Sequence, residues 1–467
     1  MTLAGGFILL AVMLGWWQVV SADDLGSHAD NVQTERAERL IDRGRIITAD
    51  GQVLAESTGR VVAGERLFAR RYPHGSLAAH AVGYAGAGGQ TGVESSYNRY
   101  LTGSFGSEPL LQRLGRRVKR GADVRLSLDT RIQEVAEQAL QGHRGAVVAV
   151  EPSTGQVIAL ASSPTFSLQQ AVTDFDKIGP EGSPLINRAT TGLYPPGSTF
   201  KVVTASAALE EGLYSPRSMF TDTGSYATPG GQIRNFGQET FGTHTLSRAL
   251  TKSINTTFAA IGDALGRSGL GAAMGRFGFG ERPGIDLPDS EVLVSGRQRD
   301  GRSLPNDQEG EDAARIAIGQ EQLAVSPLQM AMVAAAVANG GVLMRPYLVE
   351  SVTDRAGAQV LSAKPENVGQ AMSRATAEQV TAMMEDVVSE GTGTAAALSS
   401  IGVSVAGKTG TAETGAVGVN NAWFMGFAPS RAPQVAVAVV IEDTSMTGGG
   451  AAAPIAASVL RAAIGKG

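Results

Sequence analysis

Residues 402–410, GVSVAGKTG, fit two incompatible patterns. Gly402, four intervening residues and then Gly407-Lys408-Thr409 match the phosphate-binding loop G-x-x-x-x-G-K-[ST]. Lys408-Thr409-Gly410 is also a K-T-G box of the kind that certain serine acyl-transferases carry. Both readings need the same lysine, so local structure must choose. A phosphate loop wraps backbone N–H groups around an anion and launches a helix at its lysine. Here Val403-Ser404-Val405-Ala406 alternate as a strand does, and TGTAETGAVGVNN from 409 onward has glycine turns and no helical period. The stretch is therefore expected to be a β-strand. Gly402 should close the turn before it, and Gly407 and Gly410 should keep its face open for a substrate.

The neighbouring segments fit that strand. NNAWFMGFAP (420–429) and QVAVAVVIED (434–443) read as two more strands, and GAVVAVEPSTGQVIALASS (145–163) as a pair joined by a Pro-Ser-Thr-Gly turn. Between these groups, helices are expected at 199–211, 245–265, 326–339 and 375–390, with an amphipathic helix at 126–140 and a closing helix from about 451. Strands at both ends with helices between them give an α+β fold, its sheet assembled from the two ends of residues 126–467.

Ser198-Thr199-Phe200-Lys201 is the chain's S-x-x-K match. Tyr194-Pro195-Pro196-Gly197 ends the preceding structure, and a helix is expected to begin at the serine. There the helix dipole and free N–H groups favour an alkoxide and an oxyanion, and Lys201 projects from the same face one turn on. A desolvated lysine can act as base toward the hydroxyl. An N-cap serine beside a solvated lysine is the competing reading. Ser253-Ile254-Asn255 supplies an S-x-N tripeptide, but Ser96-Tyr97-Asn98 repeats it, so the tripeptide alone proves little. The order S-x-x-K, S-x-N, K-T-G is more specific than any one box.

Composition removes other chemistries. Cysteine is absent, which excludes thiolate nucleophiles and disulfides. A net charge of −5 argues against a nucleic-acid partner. No G-x-S-x-G elbow and no H-E-x-x-H occur, none of the five histidines sits in a supporting motif, and His244 reads as structural. No cofactor or metal is expected.

The N-terminal part differs in character. LAGGFILLAVMLGWWQVV, Leu3 to Val20, carries no charge and is long enough to cross a bilayer. An uncleaved anchor (1–22), a signal peptide cut near Val20-Ser21-Ala22, and a buried helix compete, and the first two place the rest of the chain outside the cytoplasm. No Lys or Arg precedes the run, which leaves open a start upstream of Met1. Residues 25–45 read as a helical or extended stem, and ITADGQVLAES as a hairpin around Asp50-Gly51, whose two central positions both favour φ > 0. Up to residue 125 no constellation of acids, histidines or nucleophiles is evident, so 23–125 is expected to be a small non-catalytic domain. RLGRRVKR (113–120) reads as a solvated basic face, with lipid headgroups the alternative.

Residues 126–467 resemble the penicilloyl-serine transferase superfamily, through the three boxes, YPPGSTFK, IGQEQLAVSPLQMAMVAAAVANGG and KTGTAE with NAWFMGFAP. RGRIITADGQVLA and GVESSYNRYLTG are similar to the non-catalytic, dimerisation-type pedestal of class B penicillin-binding proteins, and the layout is closest to the actinobacterial PbpA type. The resemblance implies a β-lactamase-like domain with a central antiparallel sheet flanked by helices. It implies a peptidoglycan DD-transpeptidase that cross-links stem peptides ending in D-Ala-D-Ala, with β-lactams as covalent inhibitors. Ser198 would attack and Lys201 would take its proton, with the oxyanion between the N–H groups of Ser198 and Thr411. Ser253 would relay a proton, Asn255 would hold the substrate amide, and Lys408, Thr409, Gly410 and Thr411 would receive the terminal carboxylate. A single-pass cell-membrane location and a glycan polymerase partner of the SEDS type follow from the same likeness. A carboxypeptidase or β-lactamase that hydrolyses the acyl-enzyme, and a non-catalytic β-lactam sensor or scaffold, share the boxes.

Overall fold

The computed structural model describes residue 13 and residues 39–86, 88–105, 119–308, 310, 312–391, 402–414 and 418–465. Apart from Met13, the apolar run Leu3–Val20 lies outside the described residues, as do residues 25–38 of the stem and 113–118 of the basic run. Among those described, no helix is long and apolar enough to cross a membrane.

The central sheet is built from both ends of residues 126–467. Strands β5 (Gly145–Val150) and β6 (Val157–Ser163) join β9 (Ala406–Glu413), β10 (Asn420–Ala428) and β11 (Val435–Thr444). The spatial order is β6-β5-β11-β10-β9, every pairing is antiparallel, and β9 is an edge. Near-continuous runs of apolar residues, as in VAVAVVI of β11, follow from burial on both faces. One face packs Val147, Val437 and Phe424 against helices α1 (Thr130–Ala139) and α6 (Ala452–Ile464). The other sets Val148, Val440 and Met425 into the main core with α2 (Lys201–Glu210) and α5 (Pro327–Ala338). The helix α5 is buried from Pro327 to Val337, and all of those residues but Gln329 are apolar. Its start is fixed by Ser326, which accepts from the Gln329 N–H, and by proline in the first turn.

A second sheet ties the N-terminal region to residues 126–467. β1 (Ile46–Ile47), β2 (Val53–Val62), β3 (Glu65–Arg71) and β4 (Asp123–Leu126) combine with β7 (Val349–Thr353) and β8 (Gln359–Ser362) in the order β8-β7-β4-β1-β2-β3. The expected break at residue 125 thus falls inside a shared strand. Asp286 adds a polar tie: its carboxylate accepts from the Tyr97 hydroxyl at 2.8 Å and from the Leu348 and Val349 N–H groups at 2.8 and 3.0 Å.

Four local expectations need correction. The strand predicted from 402 begins at Ala406, after a turn in which Gly402 has φ +81. At the first hairpin only Gly51 takes positive φ; Asp50 instead accepts from Thr130 Oγ1 at 2.8 Å. The helix predicted over 245–265 is two helices, α3 (Leu246–Thr251) and α4 (Asn255–Arg276), separated by the S-x-N tripeptide, and α4 itself breaks its helical φ/ψ at Gly266. The N-terminal region also holds a constellation that its sequence concealed. Glu94, fully buried, takes Arg43 at 2.7 Å on one oxygen and Arg70 and the Tyr72 hydroxyl on the other. Burial raises the Glu94 carboxyl pKa, but the two guanidiniums more than offset that and hold it below the ordinary range.

Candidate active site

Two glycines shape the turn that carries Ser198. Gly197 has φ +52 and donates its N–H to the Gly319 carbonyl at 3.0 Å. Gly319 has φ +77, and a Cβ there would lie 2.0 Å from the Gly197 oxygen, so only glycine permits the contact. A 3-10 turn over Gly197–Phe200 leads into α2, which places Ser198, half-buried, at the helix start as expected. Thr199 Oγ1 closes the turn onto the Pro196 carbonyl at 2.7 Å, and Phe200 anchors it by an edge contact with Phe279.

Lys201 is fully buried. Its Nζ meets the Ser253 carbonyl at 2.7 Å, the Asn255 carboxamide oxygen at 2.7 Å and the Ser253 hydroxyl at 3.3 Å. Burial pushes its pKa well below the usual lysine value, and the nearby charge of Lys408 pushes the same way. A neutral amine has two N–H groups. The two short contacts go to acceptors and use both, which leaves the lone pair for a third direction. The competing reading of a solvated lysine is thereby excluded.

Ser253 holds φ +58, a left-handed conformation that ends α3 and turns its hydroxyl between the two lysines. Its Oγ is 3.0 Å from Lys408 Nζ. Lys408 is 1 % exposed, and burial brings its pKa down to about 7. Asn255, first residue of α4, also donates from Nδ2 to the Arg234 carbonyl at 2.8 Å, so both ends of its carboxamide are engaged.

Strand β9 lies against the serine turn. A Cβ on Gly410 would meet the Pro196 oxygen at 2.9 Å and Thr199 Cγ2 at 3.0 Å, and one on Gly407 would meet Phe424 Cζ at 2.5 Å. These glycines permit packing within the protein, which corrects the expectation that they keep a face open for substrate. Thr409 and Thr411 are half-buried. The Thr411 hydroxyl accepts from the Gly448 N–H at 3.3 Å, which leaves its own hydrogen to donate elsewhere.

Ser198, Lys201, Ser253, Asn255, Lys408, Thr409, Gly410 and Thr411 therefore sit on elements packed against one another. Ser96-Tyr97-Asn98 lies in the N-terminal region, where Ser96 bonds the Asp286 carbonyl and Tyr97 the Asp286 carboxylate. His244 bridges the Gly242 carbonyl and Thr257 Oγ1 at 2.8 Å each, the structural place expected for it. Sequence reasoning missed Asp222 and Asn235. Asp222 accepts from Thr256 Oγ1 at 2.7 Å and Asn235 Nδ2 at 2.8 Å, so the start of α4 is tied down beside Asn255. Among the described residues no group of three or more His, Cys, Asp or Glu could hold a metal ion.

A desolvated lysine on the helix that starts at a serine, with a second serine hydroxyl between it and a second lysine, defines an acyl-transferase site of the S-x-x-K type. Residues 145–461 match the penicillin binding protein transpeptidase domain, and residues 43–124 match the penicillin binding protein A dimerisation domain. The chain belongs to the penicillin-binding protein transpeptidases. It is 36 % identical to the peptidoglycan D,D-transpeptidase PbpA of Mycolicibacterium smegmatis, covering 96 % of this chain and 94 % of that protein. The PbpA of Mycobacterium tuberculosis is 34 % identical over 98 % of this chain and 96 % of its own length. The structure of penicillin-binding protein A from M. tuberculosis as a ceftriaxone acyl-enzyme superimposes with a TM-score of 0.81 at 33 % identity, covering 92 % of this chain and 99 % of that one.

Proposed function

We infer that the protein is a penicillin-sensitive peptidoglycan D,D-transpeptidase that works through an acyl-enzyme on Ser198. The observation that carries this is the setting of Lys201: fully buried, with Nζ 2.7 Å from both the Ser253 carbonyl and the Asn255 carboxamide oxygen, where burial lowers its pKa and favours the neutral amine. Such an amine can take the Ser198 proton as Oγ attacks the carbonyl of the penultimate D-Ala. The tetrahedral oxyanion is received by the N–H groups of Ser198 and Thr411. As the C–N bond breaks, the proton passes from Lys201 through the Ser253 hydroxyl, 3.3 Å away, to the departing D-Ala amine. The amine of a neighbouring stem then attacks the ester, its proton returns by the same path to Ser198 Oγ, and a cross-link forms.

Lys408 receives the terminal carboxylate by charge, and Thr409 and Thr411 by hydrogen bonds. Anion binding favours the protonated form of a lysine whose own pKa is about 7. Asn255 exchanges its bond to the Arg234 carbonyl for the substrate amide. Penicillins mimic the same carbonyl and carboxylate and acylate the same serine.

Family membership and the uncharged stretch Leu3–Val20 support a single-pass anchor in the cell membrane, with the catalytic segment outside the cytoplasm beside a glycan polymerase of the SEDS type. Incubation with a donor stem peptide and a D-amino acid acceptor tests the function. Exchange of the terminal D-Ala for the acceptor is expected, and hydrolysis alone would point instead to a carboxypeptidase.

A further inference from the structure

Three successive strands of the central sheet each hold one residue ahead of Ser198. β9 abuts Pro196 through Gly410, where a Cβ would lie 2.9 Å from the Pro196 oxygen. β10 supplies the fully buried Trp423, whose Nε1–H donates to the Pro195 carbonyl at 3.0 Å. β11 supplies Glu442, whose Oε1 accepts from the Tyr194 hydroxyl and from Arg188 Nε at 2.9 Å, while Arg144 lies 3.0 Å from Oε2. The Tyr194 backbone is fixed as well, exchanging hydrogen bonds with Val325 at 3.0 and 2.8 Å. Burial and the adjacent carboxylate raise the Tyr194 pKa far above the ordinary value, so the hydroxyl remains a donor. Ser198 is four residues from Tyr194, and neither Tyr194 nor Glu442 belongs to the three boxes.

We propose that Glu442 is a positioning residue for acylation: through the Tyr194 hydroxyl it sets the path of Tyr194-Pro195-Pro196, and with it the angle at which Ser198 is presented to Lys201. Attack geometry tolerates little error, since a displacement of about 1 Å can cost on the order of a hundredfold in rate. The carboxylate is suited to the task because Arg188 and Arg144 fix its own orientation. The inference rests on Ser198 being the acylated residue.

The test separates the acylation rate constant from the binding constant by titrating the full chain with a fluorescent penicillin. Tyr194→Phe, which leaves the Arg188–Glu442 pair intact, is expected to slow acylation about tenfold or more while binding changes less than about twofold. Glu442→Ala should match it, Glu442→Gln should recover most of the rate by keeping an acceptor, and Tyr194→Phe with Glu442→Ala should be no slower than either alone. Wild-type acylation by Tyr194→Phe overturns the proposal. So does a Tyr194→Phe chain that fails to fold, because the hydroxyl would then serve folding. Wild-type protein labelled elsewhere than Ser198 refutes the functional reading instead.

Discussion

Lys201 Nζ lies 2.7 Å from the carboxamide oxygen of Asn255, a neutral acceptor where a carboxylate would equally fit. The neutrality matters. Asn255→Asp would put an opposite charge against the amine and favour the ammonium form. The acid limb of the acylation profile should then move up by about one to three pH units, with a lower rate at pH 7. Penicillin acylation followed against pH checks this; an unmoved limb would mean that Lys201 is not the base.

Lys408 sets the opposite limb. Its folded pKa of about 7 lies below the usual lysine value, so its charge is lost as pH rises through that point. Lys201 must be neutral and Lys408 charged for attack on a carboxylate-bearing substrate, which predicts a bell whose alkaline side in the free enzyme falls near pH 7. The same depression makes the unfolded chain the better proton binder, so Lys408 disfavours folding at and below pH 7, and that cost is relieved between about 7 and the ordinary lysine value. Lys408→Arg keeps its charge and should remove the alkaline limb while lowering the overall rate.

Gly319 and Gly410 should differ in their tolerance of a methyl group. A Cβ at Gly319 meets backbone at 2.0 Å with φ +77, whereas at Gly410 the nearest atom is 2.9 Å away. Gly410→Ala should cost about 1–3 kcal/mol in thermal or denaturant unfolding, and Gly319→Ala distinctly more. Equal stability of the two variants would show that the serine turn is not held as tightly as described.

Much of this site was legible because its chemistry is local. Ser198 and Lys201 are one turn apart on one element, and Lys408 to Thr411 run along one strand, so periodicity and boxes place them. The S-x-N segment was readable as a motif but not as a shape. The positive φ of Ser253 that divides α3 from α4 leaves no mark in helical periodicity, and a serine is not the residue that signals it. Gly319, Trp423 and Glu442 were illegible for a different reason. Each reaches the serine turn from a distant part of the chain through packing, and a half-buried glutamate near the end of a strand looks in sequence like the first solvated residue after it. Glu94 was missed likewise, since Arg43 and Arg70 come to it from separate strands and loops.

Glu94 gives a stability test remote from the chemistry. Its carboxyl is held below the usual range by Arg70 and Arg43 against the opposing effect of burial, so its contribution is complete above the unfolded carboxylate range and declines as pH falls toward the folded value. Removing the charge leaves two buried guanidiniums without their partner. Glu94→Gln should therefore cost about 3–5 kcal/mol at pH 7, with the difference from wild type narrowing in acid. A loss under about 1 kcal/mol would mean that the cluster relaxes to solvent.

The central claim is that Ser198 is the nucleophile and Lys201 its base. Intact-mass measurement after incubation with penicillin, on the wild type, Ser198→Ala and Lys201→Met, tests it most directly. One adduct per chain is expected on the wild type, located at Ser198 by peptide mapping. None is expected on Ser198→Ala, and on Lys201→Met acylation should be slower by about 10²–10⁴-fold. An adduct of undiminished yield on Ser198→Ala would contradict the account.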